Sequence, residues 1–289
     1  MNYLVLDIGG TNIRFAFFRN KKLIEKRKYK TVKDNRLLIS LISEISSIQE
    51  KFKIGKFDGI CISAPGYLEP EKFKLTAPTN IPKIKNLSLV MLKKFTKKLM
   101  LVNDGDCAVI GAFSLEKGDK NVKNIACLTL GTGFGCGLIL NKQLYKGRNV
   151  GSEFGHTTID MGGKKDLSGN YGCIENFVSI RGLKSLAKKR GLDVGAKELI
   201  RLAEKGNKKA LGAYKEFSKY VATSIVNIAN TLDLDVIYLT GGLLHGKKFF
   251  FKDVVQDAKS RIFRGMNPKI KATKENLSIL GGLELLRNG

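Results

Sequence analysis

The sequence predicts an α/β protein of two similar domains, and three observations carry this prediction. The chain has 289 residues, of which 43% are hydrophobic, and that is enough to bury two cores of ordinary size. Two glycine-rich segments, 7–12 and 130–137, each lie between two apolar, strand-like runs. A similar order of strand-like and helix-like stretches follows each segment. We therefore expect one domain over 1–104 and a second over 105–280, with a terminal helix near 281–289 that returns to the first.

The glycine-rich segments read Asp7-Ile8-Gly9-Gly10-Thr11-Asn12 and Leu130-Gly131-Thr132-Gly133-Phe134-Gly135-Cys136-Gly137. Because a strand is predicted on each side, both are tight hairpins. Glycine lets the backbone come close to an anion and point successive N–H groups at it. One such hairpin is most simply a turn. Two of them, each with a Thr beside the glycines and one led by an Asp that could hold Mg²⁺ through water, favour a nucleotide held between two domains.

The remaining elements follow from the periodicity of the apolar residues. In the first domain we predict strands at 3–7, 12–18, 22–29, 57–63 and 99–103, and helices near 35–51 and 87–97. In the second we predict strands at 124–130, 134–140, 143–146 and 235–240, and helices near 175–190, 196–204, 208–231 and 250–263. The segment 106–116 is also helix-like and lies between the two sets.

The charge of the chain is strongly positive, at a formal +25. Lys and Arg bind nucleic acids by releasing counterions from the phosphates. Most of the basic residues here are Lys, however, and they are scattered as singles and pairs without interleaved aromatic residues. This distribution favours a solvated, Lys-rich surface over a specific nucleic-acid site. What remains is a general attraction for anionic ligands, which suits a polyphosphate substrate.

The sequence also bears on location and on the state of the thiols. The N-terminus enters a strand without a signal sequence, and no apolar run approaches the roughly 20 residues that span a bilayer. We therefore expect a cytoplasmic protein with no membrane partner. The five cysteines are odd in number, lack paired C-x-x-C spacing and mostly lie in apolar stretches. They are predicted to be reduced core residues.

Asn103 and Asp104 lie where an apolar strand ends and a helix begins. Because α/β sheets bind ligands at the carboxyl ends of their strands, a catalytic base is expected at such a position. The alternative is that Asp104 or Asp106 only caps the helix that follows. The sequence leaves these two interpretations open.

Three further polar residues are candidates for ligand binding. Glu153 and His156 lie three residues apart among glycines, and Glu175 opens a helix. A lone His is often structural, and a carboxylate in the first turn of a helix is favoured by the helix dipole. Together with Asn103 and Asp104, these residues supply acceptors and donors for a polyhydroxylated ligand.

The order of these motifs resembles the ROK family of sugar kinases and related repressors, which share the ATPase fold of actin and hexokinase. The resemblance covers nearly the whole chain. It is carried by Asp7-Ile8-Gly9-Gly10-Thr11, Ala64-Pro65-Gly66, Thr79-Asn80-Ile81-Pro82, Asn103-Asp104, Leu130-Gly131-Thr132-Gly133, Glu153-Phe154-Gly155-His156, Gly172-Cys173-Ile174-Glu175, Thr240-Gly241-Gly242 and Leu280-Gly281-Gly282-Leu283. It implies a two-domain, actin-like ATPase (ribonuclease H-like) fold with the active-site cleft between the domains.

The resemblance also implies a role for each candidate residue. Asp104 would be the base that takes the proton from a sugar hydroxyl. The sugar would be held by Gly66, Asn80, Asn103, Glu153, His156 and Glu175. Asp7 would face Mg²⁺. ATP would be held at its phosphates by Gly9, Gly10, Thr11, Asn12, Thr132 and Gly133, and on its adenosine side by Gly241 and Gly242.

One departure from the family's pattern concerns zinc. Many members carry C-x-C-G-x-x-G-C after the histidine, and its three thiolates bind zinc together with that histidine. The same frame here reads Asp166-Leu167-Ser168-Gly169-Asn170-Tyr171-Gly172-Cys173, so only Cys173 remains. One thiolate and one imidazole cannot close a structural zinc site, and we predict none. His156 is then available to hydrogen-bond the sugar.

These implications describe an ATP-dependent hexose kinase, and we expect a glucokinase that forms the 6-phosphate. Phosphoryl transfer needs positioning more than covalent chemistry, so two glycine turns, one Mg²⁺ and one carboxylate base are sufficient. N-acylmannosamine or fructose as the acceptor, and polyphosphate as the donor, are alternatives. A sugar-responsive repressor would need an N-terminal helix-turn-helix, for which the strand at residue 3 leaves no room. The oligomeric state is open, with a homodimer as one alternative.

Overall fold

The computed structural model describes residues 1–76, 81, 83–148, 150–166 and 169–288. It contains two compact units. The first is formed by Met1–Leu115 with Leu277–Gly289, and the second by Glu116–Asn276. In the described part of the chain, every helix is too short or too polar to cross a membrane.

The strands are β1 (Asn2–Ile8), β2 (Asn12–Arg19), β3 (Lys22–Lys30), β4 (Gly59–Ala64), β5 (Tyr67–Glu69), β6 (Lys74–Thr76), β7 (Asn86–Ser88), β8 (Leu99–Asn103), β9 (Ile125–Leu130), β10 (Phe134–Leu140), β11 (Gln143–Leu144), β12 (Val236–Thr240) and β13 (Lys269–Ala272). The α-helices are α1 (Arg36–Phe52), α2 (Asp104–Leu115), α3 (Ile174–Phe177), α4 (Ile180–Lys188), α5 (Ala196–Glu204), α6 (Lys208–Leu232), α7 (Phe251–Arg261) and α8 (Leu277–Asn288). Short 3-10 helices cover Pro70–Lys72, Val90–Phe95, Phe154–His156 and Gly242–Phe249.

The first unit is built on a mixed sheet with the strand order β3-β2-β1-β4-β8. Strand β1 is antiparallel to β2 and parallel to β4, which is parallel to β8. Side chains alternate along β1, so Leu4 and Leu6 enter the core that includes α1, whereas Tyr3 and Val5 enter the core that includes α8. The hairpin predicted around the first glycine turn is confirmed by the pairing of β1 with β2.

Helices α2 and α8 pack closely within the first unit because glycines line their contact. A Cβ on Gly111 of α2 would overlap the carbonyl oxygen of Leu277, and one on Gly281 of α8 would overlap that of Cys107. The first stretch of this unit therefore extends to Leu115, the end of α2, and α8 completes it. Through this packing, the helix that begins at Asp104 is fixed against the sheet.

One helix expected in this unit has a different structure. The segment predicted as a helix near 87–97 is strand β7 followed by a 3-10 helix. Leu89, Leu92 and Phe95 are buried there, and their spacing of three fits a 3-10 helix better than an α-helix. Strand β7 pairs with β6, and β6 pairs with β5, in a small sheet that the sequence did not predict. Its strands have three residues each, too few to show a periodicity.

The second unit has a sheet with the strand order β11-β10-β9-β12-β13. Strands β9 and β10 are antiparallel, which confirms the second predicted hairpin, and β12 is parallel to β9 and to β13. The 25-residue helix α6 supplies much of the core beside this sheet. The expected helix near 175–190 is divided into α3 and α4, because Ser179 caps a new helix by accepting a hydrogen bond from the Gly182 N–H over 3.1 Å.

The five cysteines are all buried and all free, as the sequence predicts. They lie at the positions Cys61, Cys107, Cys127, Cys136 and Cys173. Burial raises the pKa of the Cys127 thiol strongly, so that thiol is protonated and unreactive at neutral pH.

Candidate active site

The first glycine turn is held in shape by Thr31, which the sequence analysis did not identify. The Gly9 N–H donates to the carbonyl of Asn12 over 3.0 Å and closes the turn. The backbone N–H of Thr31 donates to the Thr11 carbonyl over 3.0 Å, and its hydroxyl donates to the Gly9 carbonyl over 2.5 Å. With two carbonyls of the turn occupied in this way, the loop presents a fixed backbone to a ligand. Thr31 follows Lys30, which pairs with Asn12. A prediction of the register between β2 and β3 would therefore have placed Thr31 beside the glycine turn.

Asp7 stands near the carboxyl end of β1, with its side chain only 10% exposed. Its Oδ2 accepts a hydrogen bond from Nη1 of Arg14 over 2.9 Å, across the β1–β2 pair. A buried carboxylate is a hard oxygen ligand that suits Mg²⁺, directly or through water. Asp7 therefore fits the predicted role, and Arg14 is a neighbouring cation that the sequence analysis did not single out.

Asn103 and Asp104 lie at the same edge of the sheet as Asp7. Strands β1, β4 and β8 are parallel, and Ala64 at the end of β4 pairs with Asn103 at the end of β8. Oδ1 of Asn103 accepts hydrogen bonds from the N–H groups of Gly105 and Asp106, over 2.8 and 3.4 Å. Oδ1 of Asp104 also lies 3.0 Å from the Gly105 N–H. Capping of α2 is thus provided by Asn103, and the helix does not depend on Asp104 for its cap.

Gly66 lies just beyond β4 with a φ of +84°, a conformation that favours glycine. The parallel pairing of β4 with β8 places this turn near the edge that carries Asn103. Asn80, the other predicted sugar contact on this part of the chain, lies outside the described residues.

In the second unit, the second glycine turn is bound on both sides by the segment 175–180. The Gly131 N–H donates to the Gly133 carbonyl over 2.9 Å, which closes the turn around Thr132. The Ile180 N–H donates to the Gly131 carbonyl over 2.9 Å, and the Phe134 N–H donates to Oε2 of Glu175 over 2.9 Å. The predicted phosphate turn and the predicted sugar contact are therefore directly joined.

Glu175 is not merely a first-turn carboxylate of α3. Its second oxygen, Oε1, accepts a hydrogen bond from Nη2 of Arg181 over 2.7 Å, and its side chain is 15% exposed. One carboxylate thus connects the glycine turn to a half-exposed guanidinium. Arg181 was not a predicted site residue, and no local motif distinguishes it from other surface arginines.

The turn at Gly241 and Gly242 meets the second glycine turn. Gly241 has a φ of +104°, and a Cβ there would overlap the carbonyl oxygen of Leu130, the last residue of β9. Gly242 opens the 3-10 helix that follows and has open space where its Cβ would be. The structure thereby brings together the two backbone turns of this unit that were assigned to ATP.

Glu153 precedes a one-turn 3-10 helix that ends at His156, and this helix packs on the start of β10. A Cβ on Gly155 would lie 2.7 Å from the Phe134 carbonyl oxygen. Oε2 of Glu153 lies 3.8 Å from Nε2 of His156. The Glu153 side chain is 53% exposed, and the withdrawal of its remainder from water raises its pKa, while charge on His156 lowers it and charge on Glu175 raises it. These three predicted sugar contacts therefore share one electrostatic environment.

The residues that occupy the frame of the family's zinc motif do not fit a structural zinc ion. Nδ1 of His156 is paired with Oδ2 of Asp166 over 2.8 Å. Cys173 is the one cysteine in this frame, and burial followed by a hydrogen bond with Asp166 raises the pKa of its thiol to about 11 in the metal-free protein. Among the residues that the structure describes, no group of three His, Cys, Asp or Glu side chains is arranged to hold a metal ion.

Comparison with known proteins defines the class to which this fold and these residues belong. The chain matches the ROK family model over residues 3–286, and it belongs to the ROK family. The fold is the α/β fold of the actin-like ATPases, and the protein is a sugar kinase of this family. The resemblance drawn from the sequence motifs is thus confirmed.

Particular relatives are similar along most of the chain. The N-acetylmannosamine kinase of Haemophilus influenzae is 26% identical over 90% of this chain and 87% of its own. The N-acetyl-D-glucosamine kinase of Photobacterium profundum is 29% identical over 94% of each chain. The crystal structure of a ROK family glucokinase from Streptomyces griseus, in complex with glucose and AMPPNP, superposes with a TM-score of 0.85 over all of both chains, at 22% identity.

Proposed function

We propose that the protein transfers the γ-phosphoryl group of ATP to the 6-hydroxyl of an N-acetylated hexosamine, with N-acetylmannosamine as the first candidate. The observation that carries the proposed reaction is the position of Asp104. It begins α2 at the carboxyl end of a parallel strand, beside Asn103, which caps the helix in its place. The sugar class is supported by the relatives that are 26% and 29% identical over at least 90% of this chain, both of them kinases of acetylated amino sugars.

In this proposal Asp104 accepts the proton of the attacking hydroxyl. Asp104 lies in the first turn of the 12-residue helix α2, where the helix dipole favours the ionised carboxylate, the form that can accept a proton. The amide nitrogen of Asn103 offers two N–H donors to a sugar oxygen, while its oxygen is used by the helix. The base and a sugar-binding amide therefore stand on adjacent residues.

The remaining sugar contacts are proposed to come from Gly66, Glu153, His156 and Glu175. Of these, Glu153 and Glu175 offer carboxylate oxygens, which accept hydrogen bonds from sugar hydroxyls. Glu153 also lies beside His156, with Oε2 3.8 Å from Nε2, so these two side chains could contact neighbouring hydroxyls of one sugar.

The two glycine turns are proposed to bind the phosphates through backbone N–H groups. In the first turn these belong to Gly10, Thr11 and Asn12, while Gly9 shapes the turn through its own N–H bond to the Asn12 carbonyl. In the second turn they belong to Thr132 and Gly133. Gly241 and Gly242 adjoin the second turn and would bind the adenosine side. Asp7 would hold Mg²⁺, which when bound neutralises the charge of the phosphates.

Glucose is the second candidate acceptor. It is the acceptor expected from the sequence resemblance, and the fold superposes well on that of the Streptomyces griseus glucokinase. It ranks second because that protein is less similar in sequence than the two amino-sugar kinases.

The proposal is tested by measuring ADP release with N-acetylmannosamine, N-acetylglucosamine, glucose and fructose, each with ATP, and by repeating the panel with polyphosphate as the donor. We expect the highest kcat/KM with an N-acetylated hexosamine and ATP, and a product whose phosphorus couples to the C6 protons in NMR. A kcat/KM at least about tenfold higher for glucose, a difference in transition-state binding of about 1.4 kcal/mol, would select the second candidate. Transfer to none of the four sugars would refute the proposed function.

A further inference from the structure

His156 is held by three hydrogen bonds, one each with Asp166, Asn170 and Cys173. Its ring Nδ1 is paired with Oδ2 of Asp166 over 2.8 Å. Its backbone carbonyl accepts from Nδ2 of Asn170 over 2.9 Å and from the thiol of Cys173 over 3.2 Å. Both the backbone and the ring of this histidine are therefore fixed by these three residues.

The carboxylate of Asp166 is itself buried and oriented. Its side chain is only 5% exposed. The Asp166 N–H donates to the Asn170 carbonyl over 2.7 Å, and Oδ1 of Asp166 accepts from the Asn170 N–H over 3.1 Å. These bonds aim Oδ2 at the imidazole, because the other carboxylate oxygen is tied to the loop.

The consequence concerns which ring nitrogen carries the proton. A carboxylate can only accept, so the bond to Asp166 requires a proton on Nδ1 of His156. In the neutral ring Nε2 is then an acceptor. Nε2 faces Oε2 of Glu153 at 3.8 Å, a separation too long for a direct hydrogen bond and suited to polar groups that are bridged by a third one.

We propose that Asp166 is a positioning residue that fixes the tautomer and the ring orientation of His156, so that Nε2 accepts a hydrogen bond from a hydroxyl of the sugar. This inference rests on the proposed function, because it takes the sugar as the ligand of His156. In other sites a bound metal or a second side chain orients the histidine ring, and here the buried carboxylate of Asp166 would orient the ring of His156.

The tautomer can be measured without any assay of activity. The chain has two histidines, so His245→Gln leaves His156 as the only imidazole in a ¹⁵N-labelled protein. We expect ¹⁵N–¹H correlation spectra at neutral to slightly alkaline pH to show a protonated Nδ1 and an unprotonated Nε2. In Asp166→Ala the proton is expected to move largely to Nε2, as in free imidazole side chains, while Asp166→Asn, which keeps an acceptor oxygen, should retain part of the Nδ1–H form.

Kinetics supply the second readout. Asp166→Ala should raise the KM for the sugar by about tenfold or more, with the KM for ATP changed by less than about twofold, and Asp166→Asn should recover part of the loss. Asp160→Asn is the matched control, since that carboxylate lies on the preceding loop and accepts from the Gly162 N–H. It should leave both the tautomer and the two KM values near those of the unchanged chain.

The outcomes separate this inference from the proposed function. An Nε2–H tautomer in the unchanged chain, or one zinc ion per chain bound by His156, Asp166 and Cys173, would overturn the positioning role of Asp166. An Nδ1–H tautomer lost in Asp166→Ala, with an unchanged KM for the sugar, would overturn the link to the sugar. Failure to phosphorylate any sugar would refute the proposed function. The spectra would still show whether Asp166 determines which ring nitrogen of His156 carries the proton.

Discussion

The backbone N–H of Phe134 donates a hydrogen bond to Oε2 of Glu175 over 2.9 Å, and this bond joins the second glycine turn to a residue predicted to contact the sugar. Phe134 directly follows Gly133, so any displacement of the carboxylate is transmitted to the turn. The other oxygen of Glu175 is bound by Arg181. Nucleotide binding and sugar binding are thereby expected to depend on the same side chain.

Glu175→Ala should raise the KM for ATP by about tenfold, because it leaves the Phe134 N–H without its acceptor, at a cost of about 1–3 kcal/mol. Glu175→Gln keeps an acceptor oxygen and should change the KM for ATP much less. Glu198→Ala is the control, since Glu198 lies on the exposed side of α5 and pairs only with Arg201 among the contacts described. Equal KM values for ATP in Glu175→Ala and Glu198→Ala, from steady-state kinetics, would contradict this account.

Gly241→Ala should lower the free energy of unfolding by about 1–3 kcal/mol and weaken ATP binding, because a φ of +104° disfavours any other residue and the new Cβ would meet the Leu130 carbonyl. Gly242→Ala provides a matched control one residue away, with open space around its Cβ. Urea denaturation monitored by circular dichroism would measure the free energy of unfolding of both variants, and calorimetry would measure their affinity for ATP. The account fails at this position if the two variants are equally stable.

Gly281→Ala should destabilise the protein by more than about 2 kcal/mol, since its Cβ would overlap the Cys107 carbonyl where α8 crosses α2. Gly55→Ala has open space around the new Cβ and should change stability little. Because α2 begins at Asp104, we also expect Gly281→Ala to reduce kcat. A variant as stable as Gly55→Ala would show that the two helices do not need this close approach.

Glu153→Gln should become more stable relative to the unchanged chain as the pH rises from about 4 to about 7. The pKa of Glu153 is raised in the folded protein, chiefly by the withdrawal of part of its side chain from water, and the effect is small because the side chain is 53% exposed. A carboxyl with a raised pKa contributes stability below its unfolded pKa, and that contribution is lost as the pH rises through the folded value. The uncharged amide does not suffer this loss. Urea titrations at several pH values, with Glu198→Gln as the control, would measure this difference in the free energy of unfolding. If the pKa of Glu153 were lowered instead, Glu153→Gln would become less stable relative to the unchanged chain as the pH rises.

The sequence correctly predicted the elements that are marked by a clear local pattern of apolar residues. The two hairpins, the strand before Asn103 and the buried cysteines all follow from apolar runs bounded by glycine or polar residues. The motifs also identified the family, because their order along the chain is specific.

The contacts that shape the site were beyond such reasoning, since they join residues far apart along the chain. Thr31 bonds Gly9, which is 22 residues away, and Glu175 bonds Phe134, which is 41 residues away. The division between α3 and α4 at Ser179 was missed for a different reason: the apolar periodicity continues through it, and only the cap marks the break.

The most direct test of the central claim compares Asp104→Asn with Asp106→Asn in the same rapid-mixing assay of sugar phosphorylation, with sugar binding measured by calorimetry. Both residues lie in the first turn of α2, so the pair separates a proton acceptor from a carboxylate that only favours the helix. We predict that Asp104→Asn keeps sugar affinity within a few-fold and loses about 10²-fold or more in kcat, whereas Asp106→Asn stays within a few-fold in both. A kcat for Asp104→Asn within a few-fold of the unchanged chain would contradict the assignment of Asp104 as the base.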